Sequence, residues 1–396
     1  MNYEKLLNKR VQEVPPSGIR KFFDIVNEMN DPTAISLGVG EPDFVTPWHI
    51  CEAAIRSIQD SQTHYTSNWG TIGLRKEIQR YMKHRYLLQY GAEDEILVTV
   101  GASEGIDLSL RTILEPGDEV LVPEPSYVSY MPGVIFAGGE PVPVVVRQED
   151  EFKLRPQSIL EKITPRTKAL ILPYPNNPTG AVMEKPYLEA IAEVIRGTDL
   201  LVISDEIYSE LTYNGEHVSI ASLPGMRERT IVLNGFSKSF AMTGWRLGFV
   251  CTPREIMKPL VKIHQYTIMC APTVGQIAAE EALKAGYEDD YKAVDEMRQI
   301  YNRRRNMMMA GFRKMNLPCF EPMGAFYVFP DIRCCGFSSE EFCDRLLYEQ
   351  KVACVPGTAF GASGEGFIRC SYATATEDIS QALERMARFV AKYRKD

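Results

Sequence analysis

Short apolar runs recur through the middle of the chain, at Ile96 to Val100, Val120 to Pro123, Pro141 to Val146, Ala169 to Leu172, Leu200 to Ile203, Ile231 to Leu233 and Leu247 to Cys251. Most lack the strict alternation of a strand with one wet face, so they read as strands covered on both sides. Between several of them the apolar spacing becomes that of an amphipathic helix, at Glu104 to Leu114, Tyr187 to Ile195 and Pro253 to Gln265. Strand and helix taking turns in this way predict a three-layer α/β/α sandwich around a mainly parallel sheet. Chemistry in such a layer gathers where the strands end.

After about residue 285 the pattern changes. One long amphipathic helix from Tyr287 to Met315, a strand at Phe326 to Pro330, a helix from Ser338, a strand at Phe367 to Ala373 and a terminal helix predict a smaller α+β unit. Pro15-Pro16-Ser17-Gly18 reads as a flexible arm. There is no internal repeat and no low-complexity linker.

Length and charge narrow the function. A chain of 396 residues has room for two or three domains, and its 45% hydrophobic and 24% charged content rules out a disordered chain. The net charge of -8 leaves no excess of cations to displace the counterions of a nucleic acid. Arg303-Arg304-Arg305 falls in a helical pattern beside acidic residues and is expected on a solvated helix face. Nine scattered cysteines without a CxxC pair, Cys334-Cys335 and Cys343 included, read as reduced thiols and not as disulfides or a metal site. The N-terminus lacks an apolar core of signal-peptide length, and no later stretch is apolar enough to span a membrane, so a soluble cytoplasmic protein is expected.

The most informative chemistry lies between Asn234 and Gly248. Lys238, among glycine, serine and aromatics and eight positions before Arg246, can offer an amine to a carbonyl while the arginine grips a phosphate in a two-point fork. Gly101-Ala102-Ser103-Glu104-Gly105 follows a strand and opens a helix, so the amides of Ala102, Ser103 and Glu104 and the helix dipole point at one anion-sized spot. With Arg246 and Ser237 they make a candidate phosphate cup. Asp205 ends an apolar strand, where a buried carboxylate calls for a cation. Arg369, inside another apolar run, calls for an anion. A structural ion pair for Arg246, and plain core packing for Tyr127 and Tyr208, remain open on the residues alone.

The string from Asn234 to Gly248 resembles the cofactor-lysine signature of the class I and II aminotransferases, the fold-type-I pyridoxal 5'-phosphate enzymes. At least six further segments between Gly40 and Arg369 match that family in order, among them Asn177-Pro178-Thr179-Gly180. The resemblance implies Lys238, Asp205 and Tyr208 as catalytic residues. Lys238 is joined to the cofactor through a carbon-nitrogen double bond, Asp205 faces its ring nitrogen, and Tyr208 and Asn177 donate to its phenolic oxygen. Tyr127 stacks on the ring, and Tyr65 reaches the phosphate from a neighbouring subunit, which implies a homodimer. Arg369 binds the substrate α-carboxylate, with Asn177 and Gly40 beside it. The reaction implied is ping-pong transfer of an amino group between an L-amino acid and a 2-oxo acid, with a carbon-sulfur β-lyase as the alternative. A large domain over 47–284 and a discontinuous small domain of 1–46 and 285–396 are expected, closing on substrate.

The match has one departure: Gly235 stands where some relatives carry a phosphate-binding serine, and Ser237 is the candidate replacement. No basic helix-turn-helix precedes Gly40, against a cofactor-sensing regulator, and no GxGxxG turn follows any strand, against a nicotinamide enzyme. Side-chain specificity points to Ile19 and Trp69. The runs Ser204 to Tyr213 and Ser17 to Phe22 look closest to the bacterial branch of aspartate, aromatic and N-acetyl-diaminopimelate aminotransferases.

Overall fold

The computed structural model describes Met1, residues 3–19 and residues 31–395. Strand β1 (Ile35–Ser36) comes first. Seven more, β2 (Ile96–Thr99), β3 (Glu119–Glu124), β4 (Glu140–Val145), β5 (Thr167–Leu172), β6 (Leu201–Asp205), β7 (Thr230–Gly235) and β8 (Gly248–Cys251), form one sheet in the order β2-β8-β7-β6-β5-β3-β4. β8 alone runs against its neighbours, and every other pairing in the sheet is parallel. Each apolar run of the sequence falls on one of these strands, with ends displaced by at most two residues.

Successive strand residues point to opposite faces, and this builds three layers. On one face Leu97, Val122, Ile171, Ile231 and Val250 pack against Ile106, Leu110, Met257 and Leu260 of the helices Gly101–Ile113 and Arg254–Thr267. On the other, Val98, Val232 and Phe249 meet the helices Ile72–Tyr86 and Thr273–Glu288, while Leu170 and Val202 meet Lys185–Arg196. Each such side chain contributes about 1.5–3 kcal/mol of burial, which is why runs without alternation stay inside. β4 is the exception: only Val144 is buried, and Pro141 and Pro143 sit on this sheet edge, where a missing amide donor costs little.

The rest of the chain builds a separate core. β9 (Tyr327–Val328), β10 (Val352–Ala353), β11 (Val355–Pro356) and β12 (Ile368–Ser371) follow in order, with an antiparallel sheet β11-β12-β9 and a parallel pair β1-β10. Leu37, Tyr301, Phe312, Phe326, Phe342 and Phe389 fill this core with the helices Lys292–Lys314, Ser339–Gln350 and Thr376–Tyr393. Ser338 caps the second of these by accepting the Glu341 amide at 3.2 Å.

Two expectations are corrected. The single helix expected from Tyr287 to Met315 is two helices, Thr273–Glu288 and Lys292–Lys314, broken where Asp290 and Tyr291 turn left-handed at φ +54° and +58°. Burial of the Tyr291 ring against Tyr81 prevails there over local helical pattern. The solvated face expected for three arginines holds for Arg303 alone. Arg304 grips Asp43 with two bonds of 2.8 and 2.9 Å, and Arg305 reaches the Pro322 carbonyl at 3.0 Å, so both side chains are buried with partners.

Candidate active site

The parallel strands present their C-terminal ends along one edge of the sheet, where β5, β6 and β7 deliver Asn177, Asp205 with Tyr208, and Ser237 with Lys238. Lys238 is partly buried, and its Nζ donates to the Gly40 carbonyl at 2.7 Å. The amine lies 5.7 Å from the Tyr208 ring centre and 5.6 Å from that of Phe326. Removal from water is the largest influence on it and pulls its pKa down to about 8; Glu41 and Asp205 act upward, Arg369 and Arg246 downward. At pH 7 about a tenth of such an amine is deprotonated, far more than for an ordinary lysine.

Asp205 is buried at the end of β6 and accepts the Tyr130 hydroxyl at 2.8 Å and the Ile207 amide at 3.2 Å. Burial pushes its carboxyl up, only partly offset by these bonds. Both donors are neutral, so the negative charge still calls for a cation. Tyr208 shares a 2.7 Å bond with the Tyr327 hydroxyl, and Tyr127 stands edge-on to Tyr130 with ring centres 5.5 Å apart.

Arg369, on β12, comes from the smaller unit to the same place. Its guanidinium donates to Asn177 Oδ1 at 3.0 Å and to the Gly38 carbonyl at 2.5 Å, and lies between the rings of Tyr327 and Phe360 at 4.5 and 5.0 Å. Its Nε is buried and has no hydrogen-bond partner among the described residues. Gly40 is constrained by the same cluster, because a Cβ there would fall 2.8 Å from the Tyr327 hydroxyl.

On the other side, Gly101 opens its helix at φ +75°, and a Cβ on it would meet Arg246 Nη2 at 2.6 Å. Arg246 is exposed, itself at φ +57°, and among the described residues it is anchored by one 3.1 Å bond to the Thr243 carbonyl, with its other donors unpaired there. Ala102 and Ser103 follow on the first turn. The Glu104 carboxylate, by contrast, is occupied by the Val100 amide and His264, so only its backbone points to anion binding. Gly235 has no room for a serine: a Cβ would sit 2.9 Å from Gly248 Cα and from the Leu247 carbonyl. Ser237 is buried beside Lys238.

Tyr65 is not brought into this cluster; it stands 82% exposed on the single chain. Ile19 packs against the core that holds Phe360, and Trp69 lies under Arg75, 5.9 Å from its guanidinium, against the core that holds Leu97. Arg20 to Phe22 of the arm lie outside the described residues. Sequence reasoning missed Tyr130, Tyr327, Phe360 and His264. Tyr130 follows Tyr127 by three residues, which was the one usable signal; the others lie in ordinary apolar patterns.

The family described as aminotransferase class I and II matches residues 32–386. The chain belongs to this family. The putative aminotransferase YugH of Bacillus subtilis is 50% identical over 386 residues, covering 98% of each chain. An aspartate aminotransferase of Pyrococcus abyssi is 48% identical, covering 96% of this chain and 97% of that one. The crystal structure of an aromatic aminotransferase from Pyrococcus horikoshii superposes with a TM-score of 0.89 at 46% identity, covering 94% and 99%. This aminotransferase accordingly transfers amino groups and depends on pyridoxal 5'-phosphate. Nothing in the comparisons favours the β-lyase alternative.

The residues of the aminotransferase fit that cofactor. A buried carboxylate bonded only by neutral donors suits a protonated ring nitrogen, and a lysine drawn down toward neutrality suits an aldehyde. A glycine-opened helix end against a free guanidinium suits a phosphate.

Proposed function

We propose that the aminotransferase binds its cofactor across the C-terminal edge of the large sheet and its substrate between the two units, with Arg369 as carboxylate anchor. The observation that carries this reading is the convergence of Lys238, Asp205 and Arg369, from three distant parts of the chain, around Gly40, Tyr208 and Asn177. When bound, pyridoxal 5'-phosphate supplies a carbonyl that takes up the amino group and a ring that draws electrons from the substrate Cα.

The protein's own groups then divide the work. Lys238 Nζ, held by the Gly40 carbonyl, would supply the free amine that holds the cofactor and would carry the proton removed from the substrate Cα. Asp205 holds the ring nitrogen protonated, and Tyr130 keeps the carboxylate oriented. Tyr208 and the Asn177 amide would hold the phenolic oxygen, and Tyr127 would pack on the ring. Arg246, Ser237 and the amides of Ala102, Ser103 and Glu104 receive the phosphate. Arg369, fixed by Asn177 and Gly38, retains the unpartnered Nε for the substrate carboxylate. The unit containing residues 285–396, which carries Arg369, closes when that carboxylate binds.

Two side-chain classes are proposed as substrates, acidic and aromatic, because relatives are named for aspartate and for aromatic amino acids. Adding L-amino acids one at a time to the purified enzyme, with no oxo acid present, should bleach its visible band for these classes. Release of pyruvate and ammonia without an acceptor would overturn the transfer reading. The lysine adds a pH test: capture of pyridoxal 5'-phosphate by the apoenzyme should speed up as pH rises, half-maximal near 8, since only the deprotonated amine attacks. A rate that still climbs tenfold per pH unit at pH 9.5, as an ordinary lysine near about 10.4 would give, sinks the assignment of a depressed lysine.

The working unit is proposed to be a homodimer in which Tyr65 completes the neighbour's phosphate site. Val45, Trp48, Tyr65 and Tyr266 are exposed apolar or aromatic groups of the single chain, 69–87% accessible, and a second copy accounts for them. Mixing inactive Tyr65→Ala and Lys238→Ala chains should restore activity, since hybrid dimers carry one intact site. No recovery on mixing, despite subunit exchange, argues against a shared site. The nine free thiols support a cytoplasmic location.

A further inference from the structure

Beside the anion cup lies a pair, a buried histidine and a partly buried glutamate, that the reaction described above does not use. Glu104 stands on the first turn of the helix Gly101–Ile113, where its Oε2 accepts the Val100 amide at 2.5 Å and its Oε1 meets His264 Nδ1 at 2.7 Å. His264 belongs to the helix Arg254–Thr267, is fully buried, and its Nε2 has no partner among the described residues. An ionised carboxylate only accepts, so Nδ1 is the protonated nitrogen. The pair joins two helices that pack on the same face of the sheet.

Its placement poses an electrostatic problem. The amides at a helix start attract an anion, and Glu104 stands on the same first turn as those of Ala102 and Ser103. A loose carboxylate there would compete with a bound phosphate for the same donors and repel it as well. The structure gives each Glu104 oxygen a donor of its own, one from the strand end and one from the imidazole.

We propose that His264 is a positioning residue for the cofactor phosphate, acting through Glu104: its Nδ1–H keeps the carboxylate off the Ala102 and Ser103 amides and offsets part of its charge. This rests on reading Gly101 to Ser103 with Arg246 as the phosphate site. Pyridoxal, which lacks the phosphate, is the discriminating probe. In apoenzyme titrations, His264→Leu is expected to weaken pyridoxal 5'-phosphate binding roughly tenfold while leaving pyridoxal within about twofold. His264→Asn, which keeps a donor near the Nδ1 position, should retain most of the affinity. Adding Glu104→Gln to His264→Leu should restore it, because the competing charge is gone.

Equal loss for both ligands, or no restoration by Glu104→Gln, overturns the proposal in favour of a packing role. Should His264→Leu fail to fold, Glu104→Gln alone decides: phosphate affinity kept or raised supports the mechanism, and a tenfold loss refutes it. Arg246→Ala guards the underlying reading, since an unchanged preference for pyridoxal 5'-phosphate over pyridoxal in that variant would show that the cup itself is misplaced.

Discussion

Lys238→Ala is expected to bind pyridoxal 5'-phosphate yet lose the visible band of the native enzyme and at least about 10⁴-fold in turnover. The size follows from the residue's double duty. Its amine, tuned toward neutrality by burial, is proposed both as the attacking group and as the group that moves a proton at Cα. No other amine is tied to the Gly40 carbonyl among the described residues, so nothing nearby substitutes. Cofactor retention follows because Arg246, Asp205 and the helix amides are untouched. Single-turnover kinetics with an amino acid, alongside an absorbance scan of the variant, check both halves. A variant with native turnover would end the assignment.

The second large effect is expected at Arg369. Arg369→Lys keeps a cation but loses the planar fork that reaches Asn177 Oδ1 and Gly38 while leaving Nε for a ligand. A compact ammonium cannot make those contacts together, and the stacking between Tyr327 and Phe360 goes with the guanidinium. A loss of about 2–4 kcal/mol in transition-state binding, roughly 30- to 1,000-fold in kcat/KM, is expected for amino and oxo acids. The visible band of the resting enzyme should remain, because Arg369 is not proposed to touch the cofactor. Steady-state kinetics of both half-reactions give the comparison; equal damage to cofactor affinity would instead mark Arg369 as part of the cofactor pocket.

Much of this was legible in the residues. Apolar runs place seven strands to within two residues, and for all but the edge strand β4 the reason is that a strand buried on both faces has no polar position to spare. Asp205 and Arg369 could be picked out because charges in apolar strands call for partners, Lys238 by its run with Arg246, and Asn177 by the resemblance of its Asn-Pro-Thr-Gly run. The helix break at Asp290 and Tyr291 was not legible, since helical spacing persists through it and only the seat of the Tyr291 ring against Tyr81 forces the turn. The burial of Arg304 and Arg305 was hidden likewise, as Asp43 lies 261 residues from Arg304 along the chain.

By itself the sequence determined the strands, the helix layers and which groups are candidates for the chemistry, because periodicity and residue chemistry are local properties. Tertiary structure alone decided which groups meet: Tyr130 on Asp205, Tyr327 on Tyr208, His264 on Glu104, and Gly235 packed too tightly against Gly248 for any serine. Three of those pairings join segments separated by 75, 119 and 160 residues. Their existence depends on how the layers stack, and no local pattern encodes that.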